Sequence, residues 1–157
     1  MMVSRNPELL IADEPTTALD VTIEAQILQL MNGLKLRDGT SIMLITHNFG
    51  IVAEVADRIG VMYAGEMVEQ GNVFEVFENA AHPYTRLLMR ALPRKHKKEV
   101  RLQTIDGTVP RLTEVRPGCR FANRCPLARD ICHHTDPETT HITETHSYRC
   151  HFGEEVI

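Results

Sequence analysis

The sequence has no tryptophan and few other aromatic residues, with three tyrosines and five phenylalanines among 157 residues. A core in this chain must therefore be built mainly from aliphatic side chains and methionine. Hydrophobic residues still make up 43% of the chain and charged residues 24%. That balance excludes a disordered or fibrous protein, and the length suits one ordinary globular domain or two small ones.

Positive charge and long apolar runs are also missing. Seventeen basic and 21 acidic residues give a net charge of -4, whereas domains that bind nucleic acids usually carry a basic excess. No apolar run approaches the roughly 20 residues of a membrane-spanning helix, and the N-terminus has no signal-peptide pattern. The sequence therefore predicts a cytosolic protein with no nucleic-acid partner.

Two short apolar runs predict neighbouring strands. Residues 8–12 and 41–46 show no polar alternation, which is typical of strands buried on both faces. Between them, apolar residues at helical spacing from Val21 to Leu34 predict a helix that ends near Gly39. A strand, a helix and a second strand in this order form one right-handed crossover of a parallel sheet.

The remaining chain divides into a patterned part and an irregular part. The patterns predict short helices at 51–56, 73–77 and 83–91 and a hairpin of 59–63 with 66–69. Beyond residue 102 lie four prolines, all four cysteines and five of the eight histidines, with little helical or strand periodicity. We expect a metal or covalent links to organise this part.

Polar side chains follow both apolar strands. Asp13 and Glu14 come after the first strand, and His47 comes after the second. Parallel strands joined by a crossover end at the same sheet edge, where ligands bind in open α/β sheets. There Asp13 is suited to hold Mg²⁺, Glu14 to polarise an attacking water, and His47 to hydrogen-bond a terminal phosphate. Asp20 is placed to fix the loop or to bridge to a neighbouring subunit.

Each of these residues has an ordinary structural alternative. An Asp-Glu pair often serves only as negative charge at a helix N-terminus, and a Thr-His pair is often only part of a loop. The combination of Asp13, Glu14, Asp20 and His47 at these spacings favours a functional site over coincidence.

The segment from Leu10 to Asp20 resembles the Walker B motif and D-loop of ABC-transporter ATPase subunits, and Thr46-His47 resembles their switch histidine. The segment from His82 to Leu88 and the Cys-rich tail are similar to the C-terminal extension of dipeptide and oligopeptide importers. This resemblance implies that Asp13 helps to bind the Mg²⁺ of ATP, Glu14 is the catalytic carboxylate, Asp20 is the D-loop residue and His47 senses the γ-phosphate.

The resemblance predicts an α/β fold, namely the C-terminal part of an ABC-type P-loop ATPase domain at residues 1–80, followed by a small irregular Cys-rich domain at 81–157. It implies membrane-spanning permease subunits and a second ATPase subunit as partners, and a peptide-binding protein as an indirect one. The chain would then lie at the cytoplasmic face of the cell membrane.

The sequence departs from the family pattern in what it lacks. It contains no Gly-x-x-x-x-Gly-Lys-Ser/Thr loop, no Gly-rich signature motif and no glutamine loop. Without backbone amides and a lysine around the phosphates, Asp13 and Glu14 have little to act on. We expect the polypeptide to be part of a longer ATPase, to be inactive in ATP hydrolysis by itself, and to expose apolar faces of its incomplete sheet.

The four cysteines are Cys119, Cys125, Cys132 and Cys150, and no two of them form a Cys-x-x-Cys pair. Structural zinc sites usually use a shorter chelate loop, and ferredoxin spacing is not matched either. Four thiolates are nevertheless a full ligand set, and the resemblance implies a 4Fe–4S cluster. Zinc and unmetallated cysteines remain the alternatives.

Three functional hypotheses follow. The first is the ATP-hydrolysing subunit of a peptide importer, present in part. The second is a non-catalytic metal- or Fe–S-binding interaction module that retains half of an ATPase fold. The third is an ATPase of the DNA-repair type, which the His-Pro-Tyr segment, the Cys-rich tail and the acidic balance disfavour.

Overall fold

The computed structural model describes residues 7–91, 105–111, 113 and 117–156. They form two compact units, of which the first ends at Ala56 and the second begins at Asp57. This division by packing differs from the boundary at 80/81 that the sequence pattern and the resemblance predict. The assignment of 1–80 and 81–157 to two domains stays a prediction.

The first unit contains the predicted strand, helix and strand. Its elements are β1 (Leu9–Asp13), α1 (Val21–Asp38), β2 (Ser41–Ile45) and α2 (Phe49–Val55). Strands β1 and β2 pair in parallel, with Leu9 opposite Ser41 and Asp13 opposite Ile45. Helix α2 begins earlier than predicted because the Asn48 side chain accepts a hydrogen bond from Gly50 N at 3.0 Å and caps its first turn.

The strands of this unit are not buried on both faces as predicted. Exposure alternates along β1 and β2, and the outward row comprises Leu9, Ile11, Met43 and Ile45, which are 47–60% exposed. The sheet has only two strands, and α1 buries Met31 and Leu34 on one side of this unit. The expectation of exposed apolar sheet surface is thus confirmed, and that of two covered faces is wrong for this chain alone.

The second unit is built on an antiparallel sheet. Strands β3 (Arg58–Tyr63) and β4 (Glu66–Asn72) form the predicted hairpin, and Ala64 and Gly65 at its turn both have positive φ. Two further strands, β5 (Thr139–His141) and β6 (Ser147–Arg149), complete the sheet in the order β3-β4-β6-β5. The irregular tail therefore does contain strands. They have three residues each, too few to show a periodicity, and they form because β6 pairs with β4 and β5 pairs with β6.

Two helices follow β4 as predicted. Helix α3 (Val73–Glu78) begins with a capping box, in which Asn72 Oδ1 accepts from Glu75 N at 2.9 Å and Glu75 Oε2 accepts from Asn72 N at 3.1 Å. Helix α4 (Pro83–Ala91) begins at Pro83, where a missing N–H costs little. Within the described segments, every helix is too short or too polar to cross a lipid bilayer.

The core of the second unit mixes valines with aromatic rings. It consists of Val61, Tyr63, Val68, Val76 and Phe121. The ring of Phe121 lies 5.1 Å from that of Tyr63, and Tyr84 packs against the same cluster. Phe121 belongs to the irregular part of the chain beyond residue 102. This part therefore does bury a large apolar side chain.

Candidate functional site

The ends of β1 and β2 bring Glu14 and His47 together. Glu14 directly follows β1, and His47 lies two residues beyond β2. The Nδ1 atom of His47 is 2.7 Å from Glu14 Oε1, although the residues are 33 positions apart in sequence. The predicted juxtaposition at one sheet edge is therefore present, and both side chains are accessible, with 81% of His47 and 37% of Glu14 exposed.

The backbone at Glu14 is unusual. Its φ of 47° lies in the left-handed region, while its N–H still donates to Ile45 O at 2.9 Å. The chain thus leaves β1 in a sharp turn immediately after the last ladder hydrogen bond. A non-glycine residue in this conformation is costly, and such conformations concentrate at functional sites.

Both oxygens of the Glu14 carboxylate have a partner. The Thr17 hydroxyl donates to Oε2, and His47 contacts Oε1. These interactions lower the pKa of Glu14, and the Thr17 hydrogen bond is the largest single cause, followed by the hydrogen bond with His47. The carboxylate is therefore ionised near neutral pH and held in one orientation, which suits a group that accepts a hydrogen bond from an attacking water.

The other two predicted residues lie near this pair without contacting it. Asp13 is the last residue of β1 and is exposed. Asp20 precedes α1 and accepts from Glu24 N at 2.9 Å through its backbone carbonyl, while its side chain makes no capping hydrogen bond. Within the described part of the chain, neither carboxylate is hydrogen-bonded to Glu14 or His47.

The four cysteines of the second unit line one cavity. Cys119, Cys125, Cys132 and Cys150 are joined there by aromatic and aliphatic side chains and by His82 and His151. All four thiols are free. Among the described residues, however, no three His, Cys, Asp or Glu side chains are arranged closely enough to hold a metal ion.

Backbone hydrogen bonds fix two cysteine segments against each other. Cys119 N donates to Cys132 O at 2.8 Å, and 3₁₀ helices at Ala122–Arg124 and Asp130–His133 lie beside these residues. The close approach requires glycine before Cys119. Gly118 has φ of 100°, and a Cβ there would lie 2.6 Å from Cys132 O.

Burial controls the charge of these thiols. Removal from water raises the pKa of Cys119 and Cys125, and it raises that of Cys150 to about 11. The charges of the other three cysteines also contribute at Cys150. A cation or cluster would have to replace the protons for thiolates to form at these three positions.

A second carboxylate and histidine pair was not predicted. Glu69 on β4 is buried, and its carboxylate accepts from Ala81 N at 2.7 Å, His82 N at 3.0 Å and the His146 ring, whose Nε2 lies 2.8 Å away. Glu69 and His146 are 77 positions apart, so no local pattern links them. The one available signal was a glutamate next to Val68 in a predicted strand.

Known proteins resemble this chain in sequence. Residues 68–132 match the family described as the oligopeptide/dipeptide transporter, C-terminal region. Along 100% of its length the chain is 50% identical to the probable peptide ABC transporter ATP-binding protein y4tR of Sinorhizobium fredii. The chain is thus similar over its whole length to one part of a peptide ABC transporter ATP-binding protein. Its mixture of helices and strands fits a C-terminal portion of such a protein.

Other relatives agree. The oligopeptide transport ATP-binding protein AppD of Bacillus subtilis is 48% identical over 98% of the chain, and the dipeptide transport protein DppD of the same organism is 47% identical over 92%. The chain covers 47% of y4tR, 47% of AppD and 43% of DppD. It thus spans about half the length of the curated relatives it matches.

Proposed function

We propose that the first unit carries the water-positioning edge of the ATP-hydrolysing site in a peptide importer. The observation that carries this proposal is the contact between His47 Nδ1 and Glu14 Oε1 at 2.7 Å at the ends of two parallel strands. Ligands bind at such strand ends in α/β sheets, and the relatives are named as ATP-binding proteins of peptide transport.

Each residue has one task in this proposal. Glu14, ionised and oriented by Thr17, accepts a proton or a hydrogen bond from the attacking water. The exposed imidazole of His47 reaches the terminal phosphate while remaining against Glu14. Asp13 suits the water shell of Mg²⁺, which neutralises phosphate charge when bound, since this ion prefers oxygen ligands. Asp20, exposed before α1, contacts the second ATPase subunit.

The proposal places the chain in a larger assembly. The ATP-binding protein would act with membrane-spanning permease subunits and a second ATPase subunit at the cytoplasmic face of the membrane. A peptide-binding protein would take part indirectly. The sequence of 157 residues contains no P-loop or signature motif, so it cannot cradle the phosphates with its own backbone amides.

Hydrolysis assays test this assignment. The chain alone is expected to hydrolyse no Mg-ATP, whereas a chimera in which the N-terminal half of AppD precedes residues 7–157 should hydrolyse it. Glu14→Gln in the chimera should lower kcat by about 10²–10⁴-fold, the usual contribution of a general base. Glu24→Gln, on α1 and remote from His47, is the matched control. Activity of the chain alone, or full activity of the Glu14→Gln chimera, would contradict the proposal.

We also propose that the four cysteines hold a 4Fe–4S cluster. Their presence around one cavity supports this ligand set, and the apolar lining keeps water away from it. Each thiolate of a cubane binds a different iron atom, so the sulfurs are spread more widely than around one zinc ion, whose Zn–S distances are about 2.3 Å.

Metal analysis tests the second proposal. Anaerobically purified or reconstituted chain should contain close to stoichiometric iron and sulfide and show a broad absorbance near 400 nm, and Cys132→Ser should remove both. Stoichiometric zinc without iron would support the zinc alternative and overturn the cluster. If the cluster is present but the chimera hydrolyses no ATP, the non-catalytic Fe–S interaction module becomes the better description.

A further inference from the structure

His82 is the side chain in the cysteine cavity that the proposed cluster does not yet explain. It lies immediately before α4 and is only 1% exposed, yet it also lines the cavity formed by the four cysteines. Its ring is 5.9 Å from that of Phe121, measured between centroids. A polar ring so completely buried requires hydrogen-bond partners for both nitrogens.

One ring nitrogen has its partner. The Tyr84 N–H donates to His82 Nδ1 at 3.1 Å in the first turn of α4. Because an amide N–H is always a donor, Nδ1 must be the unprotonated acceptor. In a neutral imidazole the proton then resides on Nε2, which becomes a donor. Burial keeps the ring neutral, since it lowers the pKa of His82 to about 4.

The other ring nitrogen has none. His82 Nε2 is buried without a hydrogen-bond partner among the described residues. The ring itself cannot turn to relieve this, because a flip would break the Tyr84 contact, and the His82 backbone N–H is held by Glu69 Oε2 at 3.0 Å. The protein thus fixes an unused N–H donor beside a cavity lined by sulfur atoms.

We propose that His82 Nε2–H donates a hydrogen bond to an inorganic sulfide of the cluster, and that His82 is thereby a positioning residue that favours the reduced cluster. This inference rests on the cysteine-site half of the proposed function. Reduction adds negative charge that is spread onto the sulfurs, so a donor directed at one of them stabilises the reduced form more than the oxidised form.

A second histidine offers a matched control. His151 lines the same cavity, but its Nε2 lies 2.9 Å from Thr135 O. Its ring N–H is therefore already used by the backbone. Replacement of His151 by phenylalanine therefore removes an imidazole that lines the same cavity, but it does not remove an unpaired N–H donor.

Redox titration of the full anaerobic chain tests the proposal. His82→Phe keeps the ring volume and removes the donor, while His82→Asn ends closer to the backbone and keeps an oxygen that can cap Tyr84 N. Both are expected to retain iron and to lower the equilibrium constant for reduction about tenfold, equivalent to about 59 mV for a one-electron couple. His151→Phe should match the wild type.

A second measurement does not require reduction of the cluster. Resonance Raman bands of the iron–sulfur stretches in the oxidised cluster should move to higher frequency in both His82 variants, because a hydrogen bond to sulfur weakens the iron–sulfur bond. Unchanged potential and unchanged bands in His82→Asn would overturn the proposal, as would an equal shift in His151→Phe. Loss of iron from both His82 variants but not from His151→Phe would make the role structural and also overturn it. A wild-type chain without iron would instead overturn the cluster proposal itself.

Discussion

Each unit contains one glutamate in contact with one histidine, and the surroundings of the two pairs differ. Glu14 and His47 lie 2.7 Å apart at an accessible sheet edge, while Glu69 and His146 lie 2.8 Å apart with side chains 0% and 2% exposed. The accessible pair can exchange its partners for water or phosphate. In the buried pair, the Glu69 carboxylate is hydrogen-bonded to protein groups instead of water. These hydrogen bonds link β4 to the residues just before β6 and α4. The same pair of side chains is thus exposed in one unit, where we propose that it serves a ligand, and is part of the buried interior in the other.

The surfaces of the units show the same contrast. The first unit leaves an apolar row open on its two-stranded sheet, comprising Leu9, Ile11, Met43 and Ile45. The second unit closes a core around Val76 and Phe121, which are 0% and 1% exposed. Among the described residues, the second unit thus has the more fully buried core.

The largest predicted effect is on the buried pair. The Glu69 carboxylate accepts three hydrogen bonds, whereas the amide of Glu69→Gln points N–H groups at neighbouring N–H groups. We expect this variant to lose about 3–5 kcal/mol in the free energy of unfolding of the second unit. All three tyrosines belong to this unit and the chain has no tryptophan, so tyrosine fluorescence during urea unfolding measures it selectively.

Glu14→Gln is the matched variant of the accessible pair and should leave that tyrosine transition unchanged. Equal losses in the two variants would contradict the division of roles between the pairs.

Replacement of two glycines with positive φ by alanine is expected to have a smaller effect on the free energy of unfolding. At Gly118 a Cβ would meet Cys132 O at 2.6 Å, whereas at Gly39, after α1, it would meet nothing within 4 Å. Gly39→Ala should cost only the left-handed strain, about 1–2 kcal/mol, and Gly118→Ala should cost more and also reduce iron binding. Circular dichroism measures the first and tyrosine fluorescence the second. If the costs are equal, the backbone clash at Gly118 is relieved by relaxation.

The smallest predicted effect is on the charge of Glu14. Thr17→Val and His47→Ala should each raise the pKa of Glu14, because each removes a hydrogen bond that lowers it. Carboxyl chemical shifts in an NMR titration measure both. A lowered pKa in the folded state contributes stability above the unfolded pKa, and this contribution is lost as pH falls through the folded value. Both variants should therefore weaken the acid dependence of the first unit. An unchanged Glu14 pKa in either variant would contradict this assignment.

The sequence predicted what depends on neighbours in the chain. The crossover of β1, α1 and β2 followed from apolar spacing, and the Asn72 capping box followed from two residues three positions apart. The edge shared by Glu14 and His47 followed from the geometry of parallel strands, and it is the part of the candidate site that sequence reasoning located.

Features that depend on distant pairing were missed. Strands β5 and β6 have three residues each; β6 pairs with the distant β4, and β5 pairs with β6. The Glu69–His146 contact joins positions 77 residues apart. The free donor of His82 was equally invisible, because its tautomer is set by Tyr84 N and its burial by Phe121. A motif shows which residue types are present, but not which of their atoms remain without partners.

The partnership of Glu69 with His146 also sets the order in which the polypeptide can fold during translation. The parallel pair of the first unit is complete once Ile45 has emerged, whereas β4 carries an uncompensated carboxylate until His146 leaves the ribosome. Closing the intervening loop carries an entropic cost that the pairing of β4 with β6 must repay. The sheet of the second unit can therefore be completed only after β6 has been synthesised.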